Sequence, residues 1–319
     1  MKKVFALILA LAMSMSLFAC GQSGSKDDGQ KKFKVAINCW GQANFFGRAG
    51  KEAMEDELTK LGCEIIPTVT DNTPDRMKAI ENATAMGVDA IIVQEGDITE
   101  AETAVLEAKQ KGIIIGSMDS GTADYVDFYV TSDNTLLGKT TAEALVEKMG
   151  AKGKIIEIID DSGSMTRKRK AAAHEVFDQY PDIEIAYSLV YSWPDYDADM
   201  MNQVSAVLTK EGDNISGVFA VFDGVGVSAY KAIKEFGLQD KILICGVDGD
   251  PDVYALMKAD GENCNYVCTM AQDPDTMART CVRAVVDLLN GKTLDSKVEY
   301  IPGIKVTPAN VNEIGYSIV

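Results

Sequence analysis

Short apolar runs alternate with amphipathic segments along most of the chain. Four such runs, each of five to seven residues, cover residues 33–38, 63–69, 88–94 and 113–117. Between them, apolar positions recur three and four residues apart, which is the spacing of a helix with one buried face. The helical segments stop at glycines, which commonly end helices: Gly62, Gly87 and Gly112. Buried strands separated by helices predict a parallel sheet covered on both faces.

The same alternation repeats in the second half of the chain. Predicted strands cover residues 154–159, 184–190, 217–222, 242–247 and 265–270, and an extended tail covers residues 298–306. Predicted helices cover residues 134–149, 167–180, 198–210, 225–236, 253–258 and 274–289. The fold class is therefore α/β, with two doubly wound parallel-sheet units. In such sheets ligands bind beyond the carboxyl ends of the strands, so the residues that follow each strand are the candidates for function.

The first twenty residues have the pattern of a secretion signal. Lys2 and Lys3 precede an apolar run that is shorter than the ~20 residues of a membrane-spanning helix. The segment from Leu17 to Cys20 resembles the lipobox of bacterial lipoproteins, in which the cysteine becomes the lipidated first residue. We therefore predict a signal peptide over residues 1–19, a lipid on Cys20, and a flexible Gly/Ser/charge-rich tether over residues 20–32. An ordinary signal peptide with a chance cysteine is the alternative.

Composition narrows the function further. The chain has 319 residues, of which 46% are hydrophobic, and a net charge of −17. This excludes disorder over most of the chain and argues against nucleic-acid binding, because an acidic protein repels phosphate backbones. The chain has a single histidine, His174, so metal sites built from several histidines are excluded. A Ser-His-Asp triad would have to use this one residue. We expect no metal, no cofactor and no enzymatic activity.

The six cysteines that follow Cys20 are dispersed within apolar strand and helix patterns. This distribution predicts buried free thiols rather than a disulfide framework. Cys264 and Cys268 are four residues apart, so a disulfide between them, or their use as a pair of zinc ligands, is the alternative.

The residues that follow the predicted strands are rich in carboxylates, amides and aromatic rings. They comprise residues 38–46, 94–97, 119–120, 160–161, 191–196, 222–223, 248–249 and 272–273. Both tryptophans of the chain, Trp40 and Trp193, belong to this set. An aromatic face packs on the C–H face of a sugar ring while carboxylates and amides bond its hydroxyls, so the set favours a polyhydroxylated ligand. For Asp160, Asp161 and Asp223 a helix N-cap is the competing interpretation.

These motifs, taken in order, resemble those of the type I periplasmic sugar-binding proteins, the ribose- and galactose-binding proteins that supply ABC transporters. The resemblance runs from about residue 33 to residue 306. It rests on the helix start Asn44-Phe45-Phe46, on Asp119, on residues 131–134 with Gly138, on Arg169, on residues 246–252 and on residues 271–274. It implies two lobes joined by three crossings that close on a ligand: residues 33–132 plus 273–304 as the N-terminal lobe, and residues 133–272 plus 305–319 as the C-terminal lobe.

The resemblance also implies a set of ligand-binding residues. Carried over position by position, and with the flanking strand-end residues, the predicted set is Trp40, Gln42, Phe45, Phe46, Gln94, Asp119, Ser120, Arg169, Trp193, Tyr196, Phe222, Asp248 and Gln272. Three positions depart from the ribose proteins, which have asparagine where this chain has Ala43, arginine at Ser120 and asparagine at Phe222. A pocket with fewer polar groups and more rings than a ribose site is expected, which argues against ribose.

Other motifs have simpler explanations. Gly224-Val225-Gly226 lacks the third glycine of a dinucleotide-binding loop. The acidic run at residues 248–252 lacks the spacing of an EF-hand, so a turn with a helix cap is expected. Of the basic residues at 167–170, Arg169 is the candidate ligand contact and the rest are expected to be solvated. His174 is expected on a helix surface.

Together these features predict a lipid-anchored, monomeric, extracytoplasmic protein that binds a small-molecule sugar and delivers it to the permease of an ABC importer. A sensor subunit for a membrane histidine kinase and a nucleoside-binding lipoprotein are the alternatives. A regulator of the lactose-repressor type is excluded, because it would carry a DNA-binding helix pair and no secretion signal.

Overall fold

A computed structural model describes residues 32–314 of the chain. The predicted signal peptide, Cys20 and nearly all of the predicted tether lie outside the described residues. Strands in this part are β1 (Lys34–Trp40), β2 (Glu64–Thr70), β3 (Ala90–Gln94), β4 (Ile114–Met118), β5 (Phe128–Thr131), β6 (Gly153–Ile159), β7 (Ile183–Val190), β8 (Ile215–Ala220), β9 (Leu243–Asp248), β10 (Tyr266–Ala271), β11 (Val298–Tyr300) and β12 (Ile304–Val306). Its α-helices are α1 (Phe45–Lys60), α2 (Thr73–Ala85), α3 (Glu102–Gln110), α4 (Asn134–Met149), α5 (Ser164–Phe177), α6 (Tyr196–Glu211), α7 (Asp223–Glu235), α8 (Pro251–Asp260) and α9 (Pro274–Leu289).

The strands form two six-stranded sheets, one in each lobe. The first has the order β11-β5-β4-β3-β1-β2 and the second β12-β10-β9-β8-β6-β7. All pairs are parallel except β10 with β12. In each sheet the order reverses beside the first strand, between β1 and β3 or between β6 and β8, which is where doubly wound sheets bind ligands. The predicted fold class is confirmed.

The chain passes between the sheets three times. It leaves the first sheet after β5 and enters α4, which packs against β9 and β10 of the second sheet. It returns after β10 into α9, which packs against α1, β4 and β5. It crosses last between β11 and β12. These three segments are the hinge of the fold.

The cores explain why these elements form. Strand β3 is buried at every position, and its apolar side chains lie under helices on both faces of the sheet. The first lobe therefore has two clusters, one beneath α1 and α9 and one beneath α2 and α3. The second lobe has one large cluster that spans its sheet and a small one formed by Leu137, Val247 and Met270. Each sheet is thus a rigid support for the residues at its carboxyl edge.

Local signals set the helix starts close to the cavity described below. Asn44 caps α1 as predicted, accepting a hydrogen bond from Gly47 N at 2.7 Å. Helix α5 begins at Ser164, three residues before the predicted start, so the basic run lies further inside the helix than expected. Helix α8 begins at Pro251, and Asp250 caps it by accepting from Asp252 N at 2.8 Å. The acidic run at residues 248–252 is therefore a turn and a cap, as predicted.

Candidate functional site

A cavity lies between the two lobes, at the carboxyl ends of the strands of both sheets. The space enclosed by its lining residues, open solvent at its entrance included, is about 690 Å³. The lining residues are Trp40, Asn44, Phe46, Glu95, Gly96, Asp119, Asp160, Ser162, Gly163, Met165, Thr166, Arg169, Tyr191, Trp193, Phe222, Asp248 and Gln272. Rings and carboxylates therefore face the same space.

Aromatic side chains form one wall of the cavity. Trp193 and Tyr196 stack with ring centroids 5.7 Å apart, and Tyr196 meets Phe222 edge-on at 5.2 Å. Tyr191 contacts Phe222 edge-on at 5.3 Å. Such pairs lock the ring orientations, so this wall is preformed rather than assembled around a ligand. The indole Nε1 of Trp193 is buried and has no hydrogen-bond partner among the described residues.

Three carboxylates of the cavity lie at strand ends with unusual backbone. Glu95 follows β3 with φ of 56°, Asp119 follows β4 with φ of 51°, and Asp248 ends β9 with φ of 131°. Residues with a side chain rarely adopt these conformations, and they do so mostly where the surrounding structure holds them. The left-handed turn directs each carboxylate out of its strand and toward the space between the lobes.

Arg169 is the central cation of the site. It is buried on α5, where Nε donates to Asn134 Oδ1 at 2.6 Å and Nη1 donates to the carbonyl of Val221 at 3.0 Å. Its guanidinium lies 3.9 Å from a carboxylate oxygen of Asp119 and 3.7 Å from one of Asp248. Arg169 thus contacts both lobes, because Asp119 belongs to the first sheet and Asp248 to the second.

Burial disfavours the charge on two of the carboxylates. Desolvation, aided by the nearby Asp119, raises the pKa of Glu95 to about 8, although Asn44 Nδ2 donates to its Oε1 at 3.1 Å. Desolvation also raises the pKa of Asp248 well above its ordinary range, against the opposing effects of Arg169 and of Gln272, whose Nε2 donates to Oδ1 at 2.9 Å. Both groups therefore favour a proton until something compensates their charge.

A second buried carboxylate, Asp223, holds the loop that carries Asp248. Its Oδ2 accepts from the backbone nitrogens of Gly249 and Asp250, both at 2.9 Å, and from Thr269 Oγ1 at 2.7 Å. Its Oδ1 accepts from Tyr266 Oη at 2.8 Å. Burial raises the pKa of Asp223 to about 6. A helix N-cap is the competing interpretation of Asp223 from the sequence. The structure shows instead that its carboxylate anchors this loop.

The lobes also contact each other directly around the cavity. Arg167 Nη2 donates to Asp97 Oδ2, Tyr196 Oη donates to the carbonyl of Ala43 at 3.2 Å, and Ser164 N donates to the carbonyl of Gly96 at 3.4 Å. These bonds join α5 and α6 of the second lobe to loops of the first. The two lobes are therefore held in direct contact around the cavity.

The structure brings eight of the thirteen sequence-predicted residues to the cavity lining: Trp40, Phe46, Asp119, Arg169, Trp193, Phe222, Asp248 and Gln272. That they contact a ligand stays a prediction. Phe45 and Tyr196 line a separate cleft with Ala43 and Arg48, on the far side of the aromatic wall.

The other three predicted residues are not among the lining residues. Gln94 is fully buried beneath α1, where Nε2 donates to the carbonyl of Gly47 at 3.1 Å. Ser120 is buried and donates to the carbonyl of Glu95 at 2.6 Å, so it supports the neighbouring carboxylate. Gln42 donates to the adjacent carbonyl of Gly41.

Sequence reasoning did not single out several lining residues. Asn44, Glu95, Asp160 and Tyr191 fall within the strand-end set but are not among the thirteen predicted ligand contacts, and Asn44 is also the predicted cap of the first helix. Met165 and Thr166 lie on the early start of α5, which the prediction missed. The expected scarcity of polar groups is offset by these additions, because Asn44, Glu95 and Asp160 all face the cavity.

The structure also bears on the expectations for the cysteines, for metal ligands and for His174. All six cysteines within residues 32–314 are free and buried, so no disulfide joins Cys264 to Cys268. In the same residues no group of three or more His, Cys, Asp or Glu side chains is placed to hold a metal ion. His174 lies on α5 with 35% of its side chain exposed, and its Nε2 is 2.6 Å from the buried carboxylate of Glu157, so the expected helix-surface position holds only in part. Across the described chain, every helix is too short or too polar to span a bilayer.

Comparison with known proteins agrees with this geometry. The sequence profile described as periplasmic binding protein domain matches residues 35–293. The chain belongs to the periplasmic binding protein domain family. This membership confirms the resemblance found in the motifs. It also confirms that the chain is a binding protein and not an enzyme.

Individual family members cover nearly the whole chain. The ribose import binding protein RbsB of Bacillus subtilis is 27% identical over 93% of this chain and 97% of its own length. The xylitol-binding protein of Mycolicibacterium smegmatis is 25% identical over 94% of this chain and 84% of its own. A crystal structure of an ABC transporter solute binding protein from Agrobacterium vitis with bound allitol superposes with a TM-score of 0.82 at 25% identity, covering 89% of this chain and 98% of that one.

Proposed function

We propose that this protein captures a sugar or a related polyol outside the cytoplasm by closing its two lobes, and delivers it to an ABC importer. The named relatives support the class of ligand, since they bind or import ribose, xylitol and allitol. The observation that carries the proposal is the cavity in which a preformed aromatic wall faces carboxylates from both lobes. Rings stack on the apolar face of a polyol while carboxylates accept hydrogen bonds from its hydroxyls.

The proposed contacts come from both lobes. From the first lobe we assign Trp40, Asn44, Phe46, Glu95 and Asp119 to the ligand. From the second lobe and the hinge we assign Asp160, Arg169, Tyr191, Trp193, Phe222, Asp248 and Gln272. Because the two sets lie on opposite sides of the hinge, neither lobe alone offers the full set of partners. A ligand that bonds to both therefore favours the closed state over the open one.

Closure also completes the interlobe bonds of Arg167, Ser164 and Tyr196, so ligand and protein contacts act together. The closed surface, with both lobes in one relative position, is what a permease can distinguish from the open form. Delivery then requires that the permease favour the open form and release the ligand. In this scheme the chain performs no covalent chemistry.

Anchoring at the membrane is part of the proposal. The basic start, the short apolar run and the segment ending at Cys20 support export and lipidation at that cysteine. A lipid on Cys20 followed by the polar tether would hold the lobes close to the permease. We propose a monomer, since a single chain supplies both halves of the cavity.

The proposal is tested by thermal shift of the purified protein against pentoses, hexoses, inositols, linear polyols and nucleosides. A ligand at a hundredfold excess over its Kd adds roughly 2.7 kcal/mol of stability, which raises Tm by several degrees at ~2–4 °C per kcal/mol. Small-angle scattering with the same compound should show contraction. A shift only with nucleosides would contradict the sugar or polyol assignment, and a shift without contraction would contradict closure.

A further inference from the structure

The cavity between the lobes holds more negative than positive groups. Four carboxylates line it: Glu95, Asp119, Asp160 and Asp248. Among the lining residues of the described chain, Arg169 is the one basic side chain. Ionised, these groups would leave an excess of three negative charges in a confined space, which is costly unless the ligand compensates it.

Arg169 does not neutralise these carboxylates by direct bonding. Its Nε and Nη1 donate to neutral oxygens of Asn134 and Val221. Its nitrogens stay 3.9 Å from Asp119 and 3.7 Å from Asp248, which is beyond hydrogen-bond length. Arg169 thus forms a long ion pair with each of the two carboxylates but a hydrogen bond with neither.

Arg76, the other buried arginine near the site, lies behind the lining. It stacks on Trp40, with its guanidinium carbon 4.6 Å from the ring centroid. Its nitrogens donate to the carbonyls of Gln94 and Glu95 and to Asn38 Oδ1. All three acceptors are neutral, and none is a carboxylate of the cavity.

The lining also contains acceptors that lack donors. Gln272 is only 1% exposed, and its Oε1 has no hydrogen-bond partner in the described chain. The same holds for the buried Oε2 of Glu95. A buried acceptor without a donor is costly, so the site as it stands is suited to a donor-rich ligand. An ammonium group offers three donors and no acceptor.

Two further features agree with a cation. Burial raises the pKa of Glu95 to about 8 and that of Asp248 well above its ordinary range, and the nearby arginines offset this only in part. The rings of Trp40, Tyr191, Trp193 and Phe222 that line the same cavity attract a cation placed over their faces.

We propose that the ligand is a sugar or polyol that carries a protonated amine, and that its ammonium group binds among these carboxylates with Glu95 as a direct partner. This inference rests on the proposed function and makes its ligand more specific. A neutral polyol can satisfy the acceptors through its hydroxyls but leaves the charge uncompensated. An amino sugar or an amino-cyclitol does both.

Calorimetry with matched pairs tests the inference. The pairs are D-glucosamine with D-glucose, D-galactosamine with D-galactose, and an amino-deoxyinositol with myo-inositol, at about pH 6, where aliphatic amines are protonated. At least one amine should bind about tenfold or more tightly than its hydroxyl counterpart, and N-acetylation of that amine should remove the preference. Equal or tighter binding of the neutral members overturns the inference and leaves the proposed function intact. If neither the pairs nor the wider polyol panel binds, both are overturned.

A charge-removing variant tests the role of Glu95. Glu95→Gln keeps the shape and the acceptor for Asn44, so the protein should fold and close. The affinity ratio of amine to neutral partner should fall by about 10- to 100-fold, the range for a charged hydrogen bond. Glu81→Gln makes the same change on the exposed face of α2 and should leave the ratio unchanged. Because the ratio is measured within one variant, a general loss of affinity does not mimic the result, and an unchanged ratio in Glu95→Gln rejects the assignment.

Discussion

Arg167 and Asp97, which belong to different lobes, are joined by a hydrogen bond between charged groups. The guanidinium Nη2 of Arg167 on α5 donates to Asp97 Oδ2 beside the end of β3. Asp97 is nearly buried, whereas 42% of the arginine side chain is exposed. The bond joins the two lobes, so it exists only while they are together.

Loss of this bond should weaken ligand binding without unfolding either lobe. Arg167→Gln removes a half-exposed ion pair, which is worth about 0.2–1 kcal/mol and therefore about a 1.4- to fivefold increase in Kd. Calorimetry with the tightest ligand of the panel measures the change. Lys168→Gln removes the adjacent exposed charge on the same helix and should leave Kd at the wild-type value. Equal effects in both variants would argue against an interlobe role for Arg167.

The cavity itself is tested by removing one group of each kind. Asp248→Ala deletes a buried carboxylate and should weaken sugar binding by about ten- to a hundredfold, the range for charged hydrogen bonds. Trp193→Ala deletes a ring of the aromatic wall and should cost a comparable amount through lost packing. Asp75→Ala is the control, since Asp75 lies in the exposed first turn of α2, outside the lining. Near-wild-type affinity in both cavity variants would mean that the ligand binds elsewhere.

The packing of α4 against α5 fixes the position of Arg169. A Cβ on Gly138 would lie 2.3 Å from the carbonyl oxygen and 2.6 Å from the Cα of Arg169, and backbone atoms cannot swing aside as a side chain would. Gly138→Ala should therefore lower the free energy of unfolding by about 1–3 kcal/mol despite the better helix propensity of alanine. Denaturant unfolding measures this, with Lys139→Ala on the exposed face as the control. A stabilised Gly138→Ala protein would mean that the two helices separate easily.

Membrane anchoring depends on one residue. Cys20→Ser removes the only predicted lipid attachment site and leaves every residue of the two lobes unchanged. We expect the variant to leave the membrane fraction while its thermal unfolding and sugar affinity stay at wild-type values. Mass spectrometry of the mature N-terminus reports the lipid directly. Wild-type protein with an unmodified Cys20 would contradict the anchor.

The alternation of apolar runs and helices was enough to predict both sheets, because buried parallel strands leave a strong local signal. Eight lining residues followed from the strand ends and the family resemblance. Glu95 was not singled out, because its direction depends on a left-handed backbone at that position, which no periodic pattern records. Gln94, one residue earlier, is directed beneath α1 instead. The contact of Arg167 with Asp97 depends on how the lobes close, and 70 residues of sequence separate the two.

The ligand-free protein should lose stability as the pH rises, through the ionisation of Glu95. Its pKa is about 8 in the folded protein and ~4.3 in an unfolded chain, so the folded state keeps a proton that the unfolded state releases. The contribution of this proton to the free energy of unfolding is fully present below pH ~4 and is lost by about pH 8. The titratable and charged groups that act on Glu95 are Cys39, Arg76, Asp119, Arg169, Tyr191 and Asp248.

Glu95→Gln isolates this effect, because the other groups are present in both proteins and largely cancel in the difference. Burial raises the pKa of Cys39 to about 12 and that of Tyr191 well above its ordinary range, so neither ionises between pH 5 and 8. Denaturant unfolding without ligand should be measured at several pH values. The free energy of unfolding of Glu95→Gln should rise relative to that of the wild type as the pH rises. At 1.36 kcal/mol per pKa unit, the gain from pH 5 to 8 should exceed ~1 kcal/mol. A difference that stays constant with pH would mean that Glu95 is already ionised in the empty cavity, with its charge compensated by Arg76 and Arg169.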